Sequence, residues 1–457
     1  MREEASPSAP PPAGNDRGLQ LLLAGLLLSL AVVDIYLFLW SGVVILALSG
    51  FFLLLFAGFC STPWEAWQLT GRVLTAVCLT FRAYRARGYT PQYPEWPLQF
   101  EVLTAAMRVC TRTFGHRIVL EKHARYIRRQ SDVLGTLRGL LACWRLGFTV
   151  QGVDVHGLEH VWLRRRSEGR DSSDKSSRIV VMYVHGGGYS ALSPRFHIDF
   201  CVTLANRMMQ LLAKDPSLES PPQVDAFLVN YRKAPESPYP AAEDDVLAMY
   251  GYLLHHEQLK PEQILFAGDC TGAELVLATL LHLRSQHGPS NLPLGAILAC
   301  PVVDVAALHQ EDAINAEHCI LSASMMRAIG LGYLSTAETR ETWKRRSSAL
   351  HPDHDLSQLP PVFVQVGGLD YLLSQARRLM EKAATMDQAT QWEIDVHDNM
   401  PHVFTSFPAF VLPYANVGIH RMAEFSARLI ISQNKVDRQE VKSHQKAEDA
   451  GSSSIAA

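Results

Sequence analysis

The sequence predicts an α/β fold in which a mostly parallel central sheet is flanked by helices. Two observations lead to this prediction. From about residue 148 onward, apolar and β-branched runs alternate with helical patterns, which is the order that a parallel sheet with crossover helices produces. The clearest unit lies between 263 and 284, where an apolar strand, a tight glycine turn and a helix follow one another directly.

Individual elements follow from the same patterns. The strands are predicted at Val150–Val155, Ile179–Val184, Val224–Val229, Ile264–Ala267, Leu294–Leu298, Val362–Val366 and Trp392–Val396. The helices between them are predicted at Phe200–Leu212, Ala242–His255, Ala273–Arg284 and Leu373–Met386. Residues 306–350 interrupt the alternation with polar and apolar sequence typical of helices, so we expect a helical cap insertion there, with one helix over Ala323–Leu334.

An apolar stretch near the N-terminus predicts a membrane anchor. Leu19 to Cys60 is almost wholly apolar, and as one helix its about 42 residues would reach roughly 63 Å, twice the ~30 Å hydrocarbon core of a bilayer. Two transmembrane helices or a hairpin therefore fit better. Arginines are more frequent after this stretch than before it, which by the positive-inside rule favours the cytoplasmic side for the large domain. We expect a multi-pass or hairpin-anchored membrane protein; the sequence does not identify the membrane, for which the endoplasmic reticulum and the lipid droplet are two options.

Composition completes the predicted domain organisation. Proline- and alanine-rich residues 1–17 and the charged, serine-rich residues 433–457 are expected to be disordered. The membrane segment occupies residues 18–60, and the main domain occupies 148–432 with the cap at about 306–350. The aromatic, arginine-rich residues 61–147 are interpreted as a helical connector or part of the cap, with a helix lying on lipid as the alternative.

Charge and cysteine usage exclude two classes of function. The net charge is −3 and the pI is near 6.7, so nucleic acid is not an expected partner. Eight cysteines are scattered along the chain without a CxxC pair. This pattern indicates reduced, mostly buried thiols and not a disulfide framework or a zinc site.

The turn Gly268-Asp269-Cys270-Thr271-Gly272 has the pattern of a nucleophile elbow. In such a turn the central residue lies in a strained conformation between a strand and a helix, and its side chain rises above the sheet. Here that residue is Cys270. The peptide N–H of Thr271 would then face a developing oxyanion at the N-terminus of the helix.

A second motif, His185-Gly186-Gly187-Gly188-Tyr189, follows a strongly apolar strand. Three consecutive glycines destabilise any regular element, but they allow backbone amides to approach a negative charge closely. We therefore expect Gly186, Gly187 and Gly188 to donate to the oxyanion, with a merely flexible turn as the alternative.

A carboxylate and a histidine follow the last two predicted strands. Asp370 comes after the strand Val362–Val366 and His402 after the strand Trp392–Val396, which gives the chain order nucleophile, acid, base. His402 would accept the proton of Cys270, and Asp370 would fix the tautomer of the histidine and stabilise the imidazolium. His397 and Asp398 are nearby alternatives.

Together these motifs resemble the hormone-sensitive lipase family of α/β-hydrolases, which includes arylacetamide deacetylase-like proteins. The segment Asn230–Glu236, the Leu359-Pro360-Pro361 strand start and Met400–Phe404 extend the resemblance over about 148–432. It implies an α/β-hydrolase fold with a helical cap, here carrying N-terminal transmembrane helices, and carboxylic ester hydrolysis without cofactor or metal. The implied site residues are Cys270, Asp370 and His402 for catalysis and Gly186, Gly187, Gly188 and Thr271 for the oxyanion hole. Arg232 and Glu236 are interpreted as a structural ion pair.

The elbow sequence departs from the family pattern, and this departure leads to two hypotheses. The family pattern is Gly-Asp-Ser-Ala-Gly, whereas this chain has Gly268-Asp269-Cys270-Thr271-Gly272. A thiol is a good nucleophile that histidine activates readily, so the first hypothesis is an esterase or lipase-like enzyme acting on a lipid or another hydrophobic acyl ester at a membrane. The alternative is a catalytically degenerate hydrolase fold that binds an acyl or lipid ligand there.

Overall fold

A computed structural model describes residues 59–166, 178–308, 315–385 and 391–455, together with Ser29, Val32 and Ile35. The chain divides into two compact units, residues 1–57 and 58–457, and every element named below belongs to the second unit. The predicted disordered segment 1–17 lies outside the described residues.

The centre of the domain is an eight-stranded sheet. The strands are β1 (Phe148–Val155), β2 (Leu158–Arg165), β3 (Arg178–Val184), β4 (Gln223–Val229), β5 (Ile264–Asp269), β6 (Gly295–Ala299), β7 (Val362–Gly367) and β8 (Trp392–His397). Their order across the sheet is β1-β2-β4-β3-β5-β6-β7-β8. β2 pairs antiparallel with β1 and β4, and the remaining pairs are parallel. The predicted α/β fold with a mostly parallel sheet is confirmed.

One strand, β2, is absent from the sequence prediction. Its centre is fully buried at Val161, Trp162 and Leu163, but charged residues and a histidine flank this short apolar run. These residues bond to partners distant in sequence, such as the Asn230 N–H that His160 accepts at 3.1 Å. The run is therefore too short, and its flanks too polar, for its pattern to indicate a buried strand.

Helices cover both faces of the sheet. They are α1 (Pro63–Ala86), α2 (Leu98–Phe114), α3 (Glu121–Leu146), α4 (Ile198–Leu212), α5 (Ala241–His255), α6 (Thr271–His287), α7 (Ala323–Tyr333), α8 (Ala337–Arg346), α9 (Leu373–Ala384) and α10 (Ala415–Ile455). Leu265 and Ala267 of β5 belong to the core cluster shared with α4 and α10. Phe266 points to the opposite face, because side chains alternate along a strand, and packs on Tyr250 of α5 with ring centroids 5.0 Å apart.

The C-terminal helix α10 has no counterpart among the helices predicted from the sequence. α10 continues to Ile455, through the segment 433–457 for which disorder is expected. The physical reason is local composition, since residues 433–449 are rich in Lys, Gln, Glu, Arg and Ala, which are strong helix formers even where charge argues against burial.

The structure contradicts the membrane localisation that the sequence predicts. Among the residues described, no helix combines the length and the apolar character that crossing a bilayer requires. The reason is charge, since even the 24-residue α1 carries Glu65, Arg72, Arg82 and Arg85, and such residues are costly in hydrocarbon. The apolar segment 18–60 on which the prediction was based lies outside the described residues, apart from five single positions.

Helices from two distant parts of the chain lie over the end of the sheet where β3 and β5 terminate. A Cβ on Gly332 of α7 would lie 3.0 Å from Cβ of Val119, just after α2. A Cβ on Gly188 would lie 2.7 Å from Cδ1 of Ile329, also in α7. α7 therefore packs between the N-terminal helices and the glycine loop. The boundaries of a cap at about 306–350 stay a prediction.

Two carboxyl groups are buried between α5, α6 and the α8 region. Tyr189 Oη and Trp343 Nε1 donate to Glu274 at 2.8 and 2.9 Å, and Ser347 Oγ donates to Glu243 at 2.8 Å. Burial raises the pKa of Glu274 to about 7. Burial and repulsion from Glu274 raise the pKa of Glu243 well above its ordinary value. The pair therefore retains protons at a pH where exposed carboxyl groups are ionised.

These raised pKa values predict a pH-dependent stability. Between the ordinary pKa of 4.5 and about 7, the folded protein binds more protons than the unfolded chain, so stability is lost as pH rises through this window. The free energy of unfolding of the wild type is expected to fall between pH 5 and 8. Glu274→Gln lacks one titrating group, so its free energy of unfolding is expected to fall by roughly 1–3 kcal/mol less. Urea unfolding at both pH values measures this difference.

Glu341→Gln, on the exposed side of α8, is the matched control because its carboxyl is already largely solvated (56% side-chain exposure). It is expected to leave the pH dependence of stability unchanged. An identical pH dependence in Glu274→Gln and wild type would contradict the buried-acid interpretation.

Candidate active site

Cys270 occupies the turn between β5 and α6 in a strained backbone conformation. Its φ is 51° and its ψ is −118°, a region that non-glycine residues adopt only when their surroundings enforce it. Two backbone hydrogen bonds do so: the Cys270 N–H donates to Ala299 O at 2.9 Å, and the Val302 N–H donates to Cys270 O at 3.0 Å. The ends of β5 and β6 therefore fix the position of the sulfur, which is largely buried.

The glycine that closes the elbow is required by close backbone contact. A Cβ on Gly272 would lie 2.1 Å from the carbonyl oxygen of Val184 and 2.6 Å from the carbonyl carbon of His185. The first turn of α6 thus lies directly against the end of β3. Only glycine permits this approach, which brings the glycine loop next to Cys270.

The predicted acid and base meet at the ends of β7 and β8. His402 Nδ1 donates to Asp370, 3.0 Å from both carboxylate oxygens, and both side chains are buried. Burial lowers the pKa of His402, but the Asp370 carboxylate and an interaction with Cys270 outweigh it and raise the pKa well above its ordinary value. The structure therefore brings Cys270, His402 and Asp370 together.

The alternative residues are engaged elsewhere. His397 Nε2 lies 2.8 Å from Asp395 Oδ2, and its Nδ1 lies 3.1 Å from Tyr414 Oη, so both ring nitrogens have partners on the far side of β8. The backbone of Asp398 packs against Gly368, where a Cβ would lie 2.2 Å from its carbonyl oxygen. This contact holds the histidine loop against the loop that carries Asp370.

The glycine loop presents its N–H groups unequally. Gly187 and Gly188 have φ values of 116° and 65°, which favour glycine and turn the backbone toward the elbow. The Gly186 N–H donates to Asp269 Oδ1 at 2.8 Å. This N–H is therefore occupied, which differs from the prediction that it donates to an oxyanion. The Gly188 N–H donates to Thr271 Oγ1 at 3.1 Å. For the N–H groups of Gly187 and Thr271, no acceptor is found in the described part of the chain.

Asp269 anchors this loop, a role that sequence reasoning missed. Besides the Gly186 N–H it accepts the Tyr183 hydroxyl at 2.6 Å, and the imidazole of His197 lies beside both groups. A carboxylate immediately before the proposed nucleophile in the glycine turn was the available signal. Its buried position and its partner on the glycine loop become visible only in three dimensions.

Two further cysteines lie beside the acid and the base. The Cys300 thiol, a carboxylate oxygen of Asp370 and a ring nitrogen of His402 lie within 4.8 Å of one another, and the Cys319 thiol lies 4.0 Å from Asp370 Oδ1. Burial raises the pKa of Cys300 to about 12 and that of Cys319 to about 11, which keeps both as neutral thiols. Their ligand types could hold a metal ion, but a metal on His402 Nδ1 would displace the hydrogen bond to Asp370.

The predicted ion pair between Arg232 and Glu236 is not formed. Arg232 pairs with Asp245 of α5 at 2.8 Å, and Glu236 pairs with Arg128 of α3 at 2.9 Å. The two residues lie in one loop but face different helices. Burial raises the pKa of Glu236, but hydrogen bonds from Arg128 and Arg125 outweigh it and lower the pKa to about 2. Both pairs therefore tie the loop to helices and lie outside the catalytic cluster.

Comparison with known proteins agrees with this architecture. Residues 181–406 match the model of an alpha/beta hydrolase fold family. An esterase of Acinetobacter venetianus is 31% identical over 255 residues, which cover 56% of this chain and 76% of the relative. An acetyl-hydrolase of Streptomyces hygroscopicus is 30% identical over 237 residues, which cover 50% and 69%.

A solved structure supports the same grouping. The crystal structure of an esterase from the bacterial hormone-sensitive lipase family superposes with a TM-score of 0.56 at 26% identity, covering 75% of this chain and all of the other. The relatives named above are an esterase and an acetyl-hydrolase, and the elbow and the glycine loop lie within the matched residues 181–406. This chain belongs to the α/β-hydrolase family related to hormone-sensitive lipase and is a carboxylic ester hydrolase.

Proposed function

We propose that this protein cleaves hydrophobic carboxylic esters with Cys270 as nucleophile, His402 as base and Asp370 as the group that orients the histidine. The observation that carries the proposal is the pair of 3.0 Å contacts between His402 and Asp370, beside a thiol held in a strained strand-to-helix turn. This combination of nucleophile, base and orienting acid is the arrangement that activates a nucleophile in acyl transfer.

The chemistry proceeds through a thioester. The thiol proton of Cys270 passes to His402, and the sulfur attacks the ester carbonyl carbon, whose oxygen becomes an oxyanion. His402 returns the proton to the leaving alcohol as the C–O bond breaks. A water molecule, deprotonated by His402, then attacks the thioester and releases the carboxylic acid, and Cys270 recovers its proton. The N–H groups of Gly187 and Thr271, which have no acceptor among the described residues, supply the oxyanion hole.

The burial of the site favours small acyl groups. Cys270 is only 6% exposed, and Ile329 of α7 lies directly over Gly188, so the sulfur is buried and the neighbouring loop is covered by an apolar side chain. One relative is named an acetyl-hydrolase, which agrees with a short acyl chain. We propose a short-chain acyl ester of an apolar alcohol as the substrate class.

The identity of the nucleophile is tested with substitutions of Cys270. Cys270→Ala removes the reacting atom and is expected to lower kcat/KM for p-nitrophenyl acetate by at least about 100-fold. Cys270→Ser keeps a nucleophile in the same position and is expected to retain or exceed the wild-type activity. Hydrolysis is followed by release of p-nitrophenol.

Cys143→Ala, which alters another buried thiol in α3, is the matched control and is expected to remain active. Equal activity of wild type and Cys270→Ala would contradict the proposal. Inactive wild type and Cys270→Ser together would favour the alternative, a hydrolase fold that binds an acyl ligand without cleaving it.

The role of Asp370 is tested against a second acid–histidine pair in the same domain. Asp370→Asn is expected to lower kcat by about 10²–10⁴-fold, because the neutral amide no longer fixes the tautomer or stabilises the imidazolium. Asp395→Asn breaks the 2.8 Å pair with His397 and is expected to leave kcat nearly unchanged. Steady-state kinetics of both variants check this, and equal losses would show that Asp370 contributes only to the fold.

A further inference from the structure

The Thr271 side chain lies against the glycine loop. Its Oγ1 accepts hydrogen bonds from two consecutive N–H groups of the glycine loop, Gly188 at 3.1 Å and Tyr189 at 3.4 Å. Thr271 is fully buried and directly follows the proposed nucleophile. A side-chain oxygen of the protein thus occupies N–H donors that point toward the elbow.

The Thr271 hydroxyl reduces the number of glycine-loop N–H groups that are available to an oxyanion. The Gly186 N–H is held by Asp269 at 2.8 Å, and the Gly188 N–H is held by Thr271 at 3.1 Å. Of the glycine N–H groups, only that of Gly187 has no acceptor within the described residues. With the N–H of Thr271 itself, two donors remain where three would otherwise face the oxyanion.

Thr271 Oγ1 contacts the glycine loop as an acceptor, since the Gly188 and Tyr189 N–H groups both donate to it. The Tyr231 hydroxyl donates its own proton to His185 O at 2.9 Å, so it does not donate to Thr271. In this arrangement the Thr271 hydroxyl acts on the hole as a competing acceptor.

We infer that the Thr271 hydroxyl limits the activity of this site by occupying the Gly188 N–H that would otherwise stabilise the oxyanion. The inference deepens the proposed function and rests on it. A transition-state oxyanion must either displace a neutral hydroxyl from Gly188 or be stabilised by two donors. Since oxyanion donors act mainly on the transition state, the restriction lowers kcat more than it raises KM and favours esters with good leaving groups.

The test removes the hydroxyl in two ways. Thr271→Val keeps the branched shape of the side chain, and Thr271→Ala leaves the least volume. Both are expected to raise kcat for p-nitrophenyl acetate by roughly 10-fold, since one such donor contributes about 10²–10³ when it acts fully. KM is expected to change less than twofold. Thr271→Ser, which keeps the hydroxyl, is expected to stay at least threefold below Thr271→Val.

A transition-state analogue gives a readout that a merely structural change would not move. The Cys270 sulfur adds to the carbonyl carbon of a trifluoromethyl ketone, and the carbonyl oxygen becomes an oxyanion in the hole. The affinity of Thr271→Val for this ketone is therefore expected to rise in parallel with kcat. Thr279→Ala is the matched control. It removes another buried threonine hydroxyl from α6, one that donates to Leu275 O at 2.7 Å, and is expected to change neither kcat nor the affinity for the ketone.

The outcomes separate this inference from the proposed function. Unchanged kcat and ketone affinity in both Thr271→Val and Thr271→Ala would overturn the inference, and a loss in both would assign the hydroxyl as an oxyanion donor instead. If Thr271→Ala unfolds, Thr271→Val alone decides. Full activity of Cys270→Ala in the same assay would overturn the proposed function, whereas loss of that activity without a gain at Thr271 would overturn only the inference.

Discussion

The site depends on one close backbone contact, the approach of Gly272 to Val184 at the start of α6. A Cβ at position 272 would lie only 2.1 Å from the Val184 carbonyl oxygen. Glycine is therefore the only residue that allows α6 to begin where it does. Directly before α6, Cys270 has a φ of 51°, which its hydrogen bonds to Ala299 and Val302 hold. The contact between Gly272 and Val184 places the glycine loop, which follows β3, directly beside the sulfur. A single packing constraint between neighbouring parallel strands therefore brings the proposed nucleophile and the proposed oxyanion donors together.

The surroundings of the buried histidine and thiols of the site shift their pKa values. His402 has its pKa raised well above the ordinary value, because Asp370 and Cys270 outweigh the effect of burial, and this favours the imidazolium that acyl transfer requires. The thiols of Cys300 and Cys319 also lie near Asp370, but burial raises their pKa and keeps them neutral. Position at the strained turn, and not the presence of a thiol alone, thus distinguishes the proposed nucleophile.

The sequence allowed much of this to be predicted, because strand periodicity and glycine turns are local properties. The seven predicted strands and the cluster of Cys270, His402 and Asp370 needed only pattern and chain order. Strand β2 was missed because its polar flanking residues bond to partners far along the chain. The engagement of Gly186 by Asp269 and of Gly188 by Thr271 was likewise beyond reach, since it depends on which side chain fills a space between two loops.

The central claim is that the sulfur of residue 270 carries the acyl group during turnover. Its most direct measurement is rapid acid quenching of the enzyme with p-nitrophenyl acetate, followed by peptide mass spectrometry. One acetyl group is expected on the peptide that contains Cys270, and neutral hydroxylamine is expected to remove it, as it does from a thioester. Turnover with an acetyl group on a different residue, or with none on this peptide, would contradict it.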